Sequence, residues 1–282
     1  MTGFLDTMIA RRTARIAAEW GELAPADRER LACCGRAPRA FAAALSDRAD
    51  VAVIGEIKKA SPSAGPIAPE CEASKQALHY EDGGAAAISV LTEPEVFAGS
   101  FADLSDVADA VDVPVLCKDF VVDPVQLFVA RGHGADAVLL MVSVLGHRVT
   151  DYLDLASTLG LECLIEVIDE AELDLALGAG ATLIGVNSRD LRTLELDAER
   201  AQKVVALSAG AGATTVAASG VKTRDDVRAA ASAGADAVLV GETLMRADFP
   251  EDVLADLTGV ARVAAIRSTM VSTEGPRQGS KE

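Results

Sequence analysis

The chain has 282 residues, half of them hydrophobic and only 4% aromatic, with a formal net charge of −17. That length and aliphatic content suit one large domain with a well-buried core, and no apolar run approaches the roughly 20 residues of a membrane span. The acidic excess argues against a nucleic-acid partner, whose phosphates need a basic face, and means that any anionic ligand must find a locally positive pocket.

Residues 1–47 read as an N-terminal helical extension, with helices over 4–19 and 38–46 and a Gly/Pro/charge linker between them. Its pattern leaves open whether it lies over one end of the domain or plugs the other. The first 20 residues carry arginines and glutamate in place of an uninterrupted apolar stretch, so no secretory signal is expected and the protein is expected to be cytoplasmic.

From residue 48 to 267 short aliphatic runs alternate with segments of helical period. The runs are 51–57, 85–91, 113–117, 135–142, 161–167, 181–186, 213–218 and 235–240; the helical segments are 71–83, 101–110, 124–133, 149–159, 169–178, 198–209 and 224–234. Gly134-Ala-Asp-Ala-Val-Leu-Leu140, Gly180-Ala-Thr-Leu-Ile184 and Gly234-Ala-Asp-Ala-Val-Leu-Val240 introduce three of the runs in nearly the same words. Gly closing a helix before an aliphatic strand is the join of a repeated βα unit. Eight such units predict an α/β fold of the (β/α)8 TIM-barrel type. An open doubly wound sheet is the alternative, but no Gly-x-Gly-x-x-Gly fingerprint follows the first run. Residues 268–282, rich in Ser, Gly, Pro and charge, are expected to form a disordered tail.

The charged ends of the predicted strands carry the chemistry. The run Val53-Ile-Gly-Glu-Ile-Lys-Lys-Ala-Ser-Pro-Ser63 passes from apolar residues into a carboxylate and two lysines, and Val115-Leu-Cys-Lys-Asp-Phe120 does the same. Unpaired ions cannot stay in a core, so these ends must open into a cleft. Side chains two apart on a strand share a face, which groups Glu56 with Lys58, Lys118 with Phe120, and Asn187 with Arg189; Glu166 ends the fifth run. A barrel places its active site at these C-terminal ends. Burial lowers a lysine's pKa and raises a glutamate's, which would bring both toward neutrality for proton transfer, although donor and acceptor are not legible here. Ser219-Gly220 and Gly241-Glu242, after the last two runs, fit a phosphate cradle built from backbone N–H groups. Glu242 is assigned only a backbone role.

No metal site is expected, because His79, His133 and His147 have no ligand-like spacing. The five cysteines are odd in number and lack a Cys-x-x-Cys, so neither a disulfide framework nor zinc is expected. Cys117, one residue out of phase with Lys118, reads as packing and not as a nucleophile.

Over roughly residues 51–250 the chain resembles the indole-3-glycerol-phosphate synthase family of tryptophan biosynthesis. The phrases that carry the resemblance are Glu56-Ile-Lys-Lys-Ala-Ser-Pro-Ser63, Leu91-Thr92 with Phe97-x-Gly-Ser100, Lys118-Asp-Phe120 with Asp123-Pro124, Gly134-Ala-Asp-Ala-Val-Leu-Leu140, Ile165-Glu-Val167, Gly185-Val-Asn-Ser-Arg-Asp-Leu191 and Gly241-Glu-Thr-Leu-Met-Arg246. The resemblance implies a cofactor-free carboxy-lyase that closes the indole ring of 1-(2-carboxyphenylamino)-1-deoxyribulose 5-phosphate with loss of carbon dioxide and water. By that resemblance Lys118 is the proton donor and Glu166 the base, with Glu56 and Lys58 assisting dehydration and positioning. Asn187 and Arg189 would orient hydroxyl and carboxylate groups. Phe97, Phe120, Leu139 and Leu191 would wall the aromatic ring, and Ser61, Ser219, Gly220, Gly241 and Glu242 would contact substrate and phosphate. The expected partner is a small anionic substrate bearing phosphate and carboxylate, with no nucleic acid or membrane, bound by a monomer or weak homo-oligomer.

Three positions depart from the family pattern. Ala218 stands where the family reads Glu before Ser-Gly, Ala64 where a loop lysine is common, and Cys117 where an arginine is common. Losing one preorganised active-site group commonly costs about 10²–10³ in rate. Two alternatives therefore stay open: a degenerate paralogue that binds the phosphorylated ligand without efficient catalysis, or a related barrel enzyme acting on another phosphosugar. Retention of Glu56, Lys118, Glu166 and Asn187 together favours the synthase, since a binding-only barrel needs no acid–base set.

Overall fold

Eight parallel strands close on themselves in the computed structural model, which describes residues 3–263. In chain order they are Ala52–Ile57, Ala87–Leu91, Val115–Lys118, Ala137–Met141, Glu162–Val167, Leu183–Asn187, Thr214–Ala218 and Ala237–Val240. The first pairs with both the second and the eighth, so the barrel itself has no bare strand edge. Each strand falls within or beside its predicted run. The predicted tail, 268–282, lies outside the described residues.

Alternation divides the core in two. Ala52, Ile54, Leu116, Leu139, Leu164, Leu183, Val216 and Leu239 fill the barrel interior. Val53, Val115, Cys117, Leu140, Ile165 and Val238 point outward and pack beneath the surrounding helices. The outer helices Ala73–Asp82, Phe101–Ala110, Val125–Gly132, Val149–Thr158, Glu170–Gly178, Ala198–Gly210 and Arg224–Ala233 match the predicted segments, and Pro250–Leu257 adds an eighth that was not predicted.

The repeated Gly-Ala-Asp phrase has a physical cause at each position. Gly134, Gly180 and Gly234 all take positive φ (86°, 86° and 101°), turning the chain from helix to strand where a side chain would be strained. Asp136 accepts the N–H of Val115 at 2.7 Å, and Asp236 accepts the N–H of Thr215 at 2.8 Å. Each aspartate thus ties its own strand to the start of the preceding one. Asp136 also receives the Arg36 guanidinium (2.8 Å) and the N–H of Arg39 (2.6 Å), and Asp236 receives the Arg262 guanidinium.

The extension divides its duties between the two ends of the barrel. Helix α1 (Phe4–Trp20) lies beside the C-terminal mouth, where Arg12 pairs with Asp119 and Arg11 with Glu95. Helix α3 (Phe41–Ser46) closes the base: Phe41 and Leu45 are buried in the interior core, and the N–H of Ala42 donates to Glu162 at the start of the fifth strand. The predicted linker between them instead holds a helix, α2 (Pro25–Ala32), with Pro25 at its first turn, lying against Val125–Gly132. The Ser-Pro-Ser turn is also more ordered than predicted, since Ala60–Ser61 and Gly65–Pro66 pair as a small antiparallel hairpin over the mouth. Among the described residues no helix is long and apolar enough to cross a membrane.

Candidate active site

Every site residue singled out from the sequence lines one cavity of about 180 Å³ at the C-terminal mouth of the barrel. Its centre is Glu56, buried at the end of the first strand. Glu56 Oε1 lies 2.9 Å from the Lys58 ammonium and Oε2 lies 3.4 Å from that of Lys118, a charge contact longer than a good hydrogen bond. Oε2 has no hydrogen-bond partner and remains an available acceptor. Gly241 makes this approach possible, for a Cβ there would fall 2.5 Å from Glu56 Oε1.

The charges set one another. Burial pushes the Glu56 carboxyl upward, but the ammonium groups of Lys118 and Lys58 outweigh it and hold the carboxyl at about 2. Burial alone would lower Lys118, yet Glu56 and then Glu166 hold it above the usual lysine value. Glu166 moves upward because burial dominates the opposing pull of Lys118 and of the Asn187 amide. The sequence-based expectation that lysine and glutamate both drift toward neutrality therefore holds for Glu166 and fails for Lys118 and Glu56. Neighbouring charge overrides desolvation at Lys118 and Glu56, and desolvation prevails at Glu166.

Asn187 is held in one orientation: its Oδ1 accepts from the Ser219 hydroxyl at 2.7 Å and from the Arg189 N–H at 3.0 Å. The Arg189 guanidinium donates to the Leu194 carbonyl at 2.7 Å, so one of its faces braces the loop after the sixth strand. In that loop Leu194 takes φ 64°, and Leu194 and Leu196 both reach the cavity. The expectation that Arg189 orients ligand anions must allow for this structural duty.

At the far side of the mouth Ser219 (φ 66°) and Gly220 (φ 80°) form consecutive left-handed residues, and the Ser188 hydroxyl donates to the Ser219 carbonyl at 3.0 Å. This turn, Gly241 and Lys222 all line the cavity, and the left-handed turn suits an anion. The Glu242 carboxylate is occupied by Arg246 at 2.9 Å on the exposed face of its helix, which leaves its backbone as the part available to a ligand.

Across the cavity stands an apolar wall. The rings of Phe97 and Phe120 meet with centroids 6.2 Å apart, beside Leu139, Met141 and Leu191. Phe97 is placed by Glu93, whose carboxylate accepts the N–H groups of Glu95, Val96 and Phe97 at 2.8–3.1 Å. Ser61 turns inward, and its hydroxyl accepts the N–H of Ala64 at 3.2 Å. Cys117 faces the helices with its thiol pushed up to about 12 by burial, so packing is its role.

Sequence reasoning missed Met141, Leu194, Leu196, Glu93 and Lys222 as cavity residues. Met141 was legible, being in phase with Leu139. The others sit on loops, where no period governs direction.

The family model described as indole-3-glycerol phosphate synthase matches residues 5–257. The chain belongs to the indole-3-glycerol phosphate synthase family. An indole-3-glycerol phosphate synthase of Mycobacterium ulcerans is 44% identical over 254 residues, spanning 90% of this chain and 93% of that protein. Another, from Mycobacteroides abscessus, is 49% identical over 208 residues (73% and 76%), and one from Parafrankia is 44% identical over 265 (93% and 94%). Among solved structures, 3-hexulose-6-phosphate synthase aligns with a TM-score of 0.61 at 16% identity, covering 73% of this chain and 98% of its own. Thiamine phosphate pyrophosphorylase from Pyrococcus furiosus aligns with 0.56 at 18%, covering 73% and 93%. At such identity these two attest the barrel alone.

Proposed function

We propose that this member of the indole-3-glycerol phosphate synthase family closes the indole ring of 1-(2-carboxyphenylamino)-1-deoxyribulose 5-phosphate, using Lys118 as acid and Glu166 as base. The observation that carries the reading is one cavity lined by the Lys118 ammonium, the Glu166 carboxyl, an aromatic wall and a glycine-bearing anion end. The phosphate lies at Ser219, Gly220 and Gly241, and the carboxyphenyl ring lies against Phe97, Phe120, Leu139 and Leu191.

Bond changes follow from that placement. The arene carbon bearing the carboxylate attacks the ketone carbon with electrons from the anilino nitrogen, and the ketone oxygen takes a proton from Lys118. The bond to carboxylate then breaks, its pair returns to the ring, and carbon dioxide leaves. Finally the new hydroxyl departs as water with a proton delivered through the Lys58–Glu56 pair, while Glu166 takes the proton from the ring methylene. Two protons are delivered and one is taken up, so the carboxylate substrate and one proton from solvent give indole-3-glycerol phosphate, carbon dioxide and water. Charge fits the roles: Lys118, held above its usual pKa, stays protonated at neutral pH, and Glu166 is made more basic by burial. The proposal includes a cytoplasmic setting and no cofactor.

One observation favours a second reading, binding without efficient turnover. Ala218 lines the cavity beside Asn187, its neighbour in register, where the resemblance places a glutamate. Indole fluorescence from the wild-type chain, set beside Ala218→Glu, separates the two. Turnover by the wild type supports the first reading, with Ala218→Glu raising the rate by about tenfold or more. Calorimetric binding without product, and product only from Ala218→Glu, supports the second. A chain that neither binds nor converts the compound rejects both.

A further inference from the structure

We propose that Arg12 is a positioning residue: through Asp119 it sets the direction from which the Lys118 ammonium enters the cavity. This rests on the reading of Lys118 as proton donor. Arg12 belongs to helix α1, outside the barrel, yet its guanidinium is buried and forks onto Asp119 at 3.0 and 2.5 Å. Asp119 Oδ2 also accepts the Thr92 hydroxyl at 2.8 Å, and the Thr92 N–H donates to the Lys118 carbonyl at 3.0 Å. The peptide that carries Lys118 is thus held on one side by the second strand's end and on the other by the extension.

That hold matters because a lysine is a compact charge on a flexible four-carbon stem. The Lys118 ammonium stands 3.4 Å from its nearest carboxylate oxygen, too far for a hydrogen bond to lock its direction. The backbone supplies what that contact does not. Simple anchoring of α1 has no need of an ion pair. Leu5, Met8 and Ile16 already bury the helix, and a buried ion pair adds little stability over hydrocarbon of the same shape. A planar fork does add direction. Arg12 also lies over the Phe101 ring at 5.9 Å, with Trp20 edge-on to the same ring at 5.3 Å. Trp20 is the single tryptophan of the chain, so its emission reports whether α1 is docked.

The test replaces the pair by hydrocarbon in Arg12→Met/Asp119→Leu and, separately, shortens the fork to a point charge in Arg12→Lys. Product formation, thermal midpoint, Trp20 emission and the Lys118 resonance of protein made with 13C-labelled lysine are compared with wild type, the resonance being assigned by Lys118→Met. The double variant is expected to keep the wild-type midpoint and Trp20 emission, to lose about 10²-fold in kcat with KM little changed, and to shift and broaden the Lys118 signal. Arg12→Lys falls between. If the double variant does not fold, Arg12→Lys decides by the same split between kcat and KM. An unchanged kcat in a folded variant overturns the proposal, as does a loss that tracks Trp20 emission and the thermal midpoint. If the wild type makes no product, it is the functional reading that fails. The Lys118 resonance then decides alone: unchanged in the double variant, it rejects a positioning role.

Discussion

A carboxylate between two ammonium groups from different strands governs the chemistry of single residues here. Glu56 is the first cause that raises Lys118, so Glu56→Gln should lower the Lys118 pKa and bring the alkaline limb of kcat to lower pH. A kcat–pH profile of that variant checks this; an unmoved limb would mean that another group titrates there. On the proposed assignment the acid limb belongs to Glu166. Its raised pKa means that the working carboxylate is lost at a pH above the ordinary glutamate range of about 4.3, so kcat should fall as pH drops through that point. Glu166→Gln should erase the limb along with most of the activity. For stability the sign is set by Glu56: its folded pKa of about 2 lies below its unfolded value, so its contribution is present above the ordinary range and is lost as pH falls toward about 2. The positions of these residues were legible, because alternation along a strand fixes which side chains share the mouth. Their protonation was not, since it depends on which strands are neighbours in space. The bracing of Leu194 by Arg189 was equally hidden, as a carbonyl on an aperiodic loop leaves no mark in the sequence.

Among elements, the joins between helix and strand explain more than the helices do. Asp136 is fully buried and gathers a strand N–H together with Arg36 and Arg39 of the extension, coupling the barrel's base to residues a hundred positions earlier. Asp136→Ala leaves the Arg36 charge and a strand N–H without their partner and is expected to cost about 3–5 kcal/mol in urea unfolding, the range for breaking a buried pair. Asp236→Ala should cost less, because the Asp236 side chain is 12% exposed whereas that of Asp136 is fully buried, the two arginines being about equally exposed. Equal losses would argue that the strand N–H, common to both sites, dominates. The repeat that encodes these joins stood out in the sequence as Gly-Ala-Asp. Helix α2 did not: a short polar segment with little apolar period is stabilised by lying against Val125–Gly132, and that contact is not written locally. The hairpin over the mouth escaped notice for the same reason, its two strands being only two residues each.

At the scale of the whole molecule, a chain of charge −17 encloses a pocket that must attract an anion. The lysines at the mouth act within a few ångströms, whereas the acidic surface repels over about a Debye length, roughly 10 Å at 0.1 M salt. Raising ionic strength from low values should therefore screen the repulsion first and lower KM for the phosphorylated substrate, against the usual trend for anion-binding proteins. A KM that rises with salt from the lowest concentration onward would show that the local lysines dominate the encounter. In the proposed reaction the Lys118 ammonium drives ring closure inside this mouth. Indole-product fluorescence from Lys118→Met, measured beside wild type at matched thermal midpoint, tests it most directly. A loss of about 10²–10⁴-fold is expected, the usual contribution of a positioned acid; a rate within about threefold of wild type would remove Lys118 from that role.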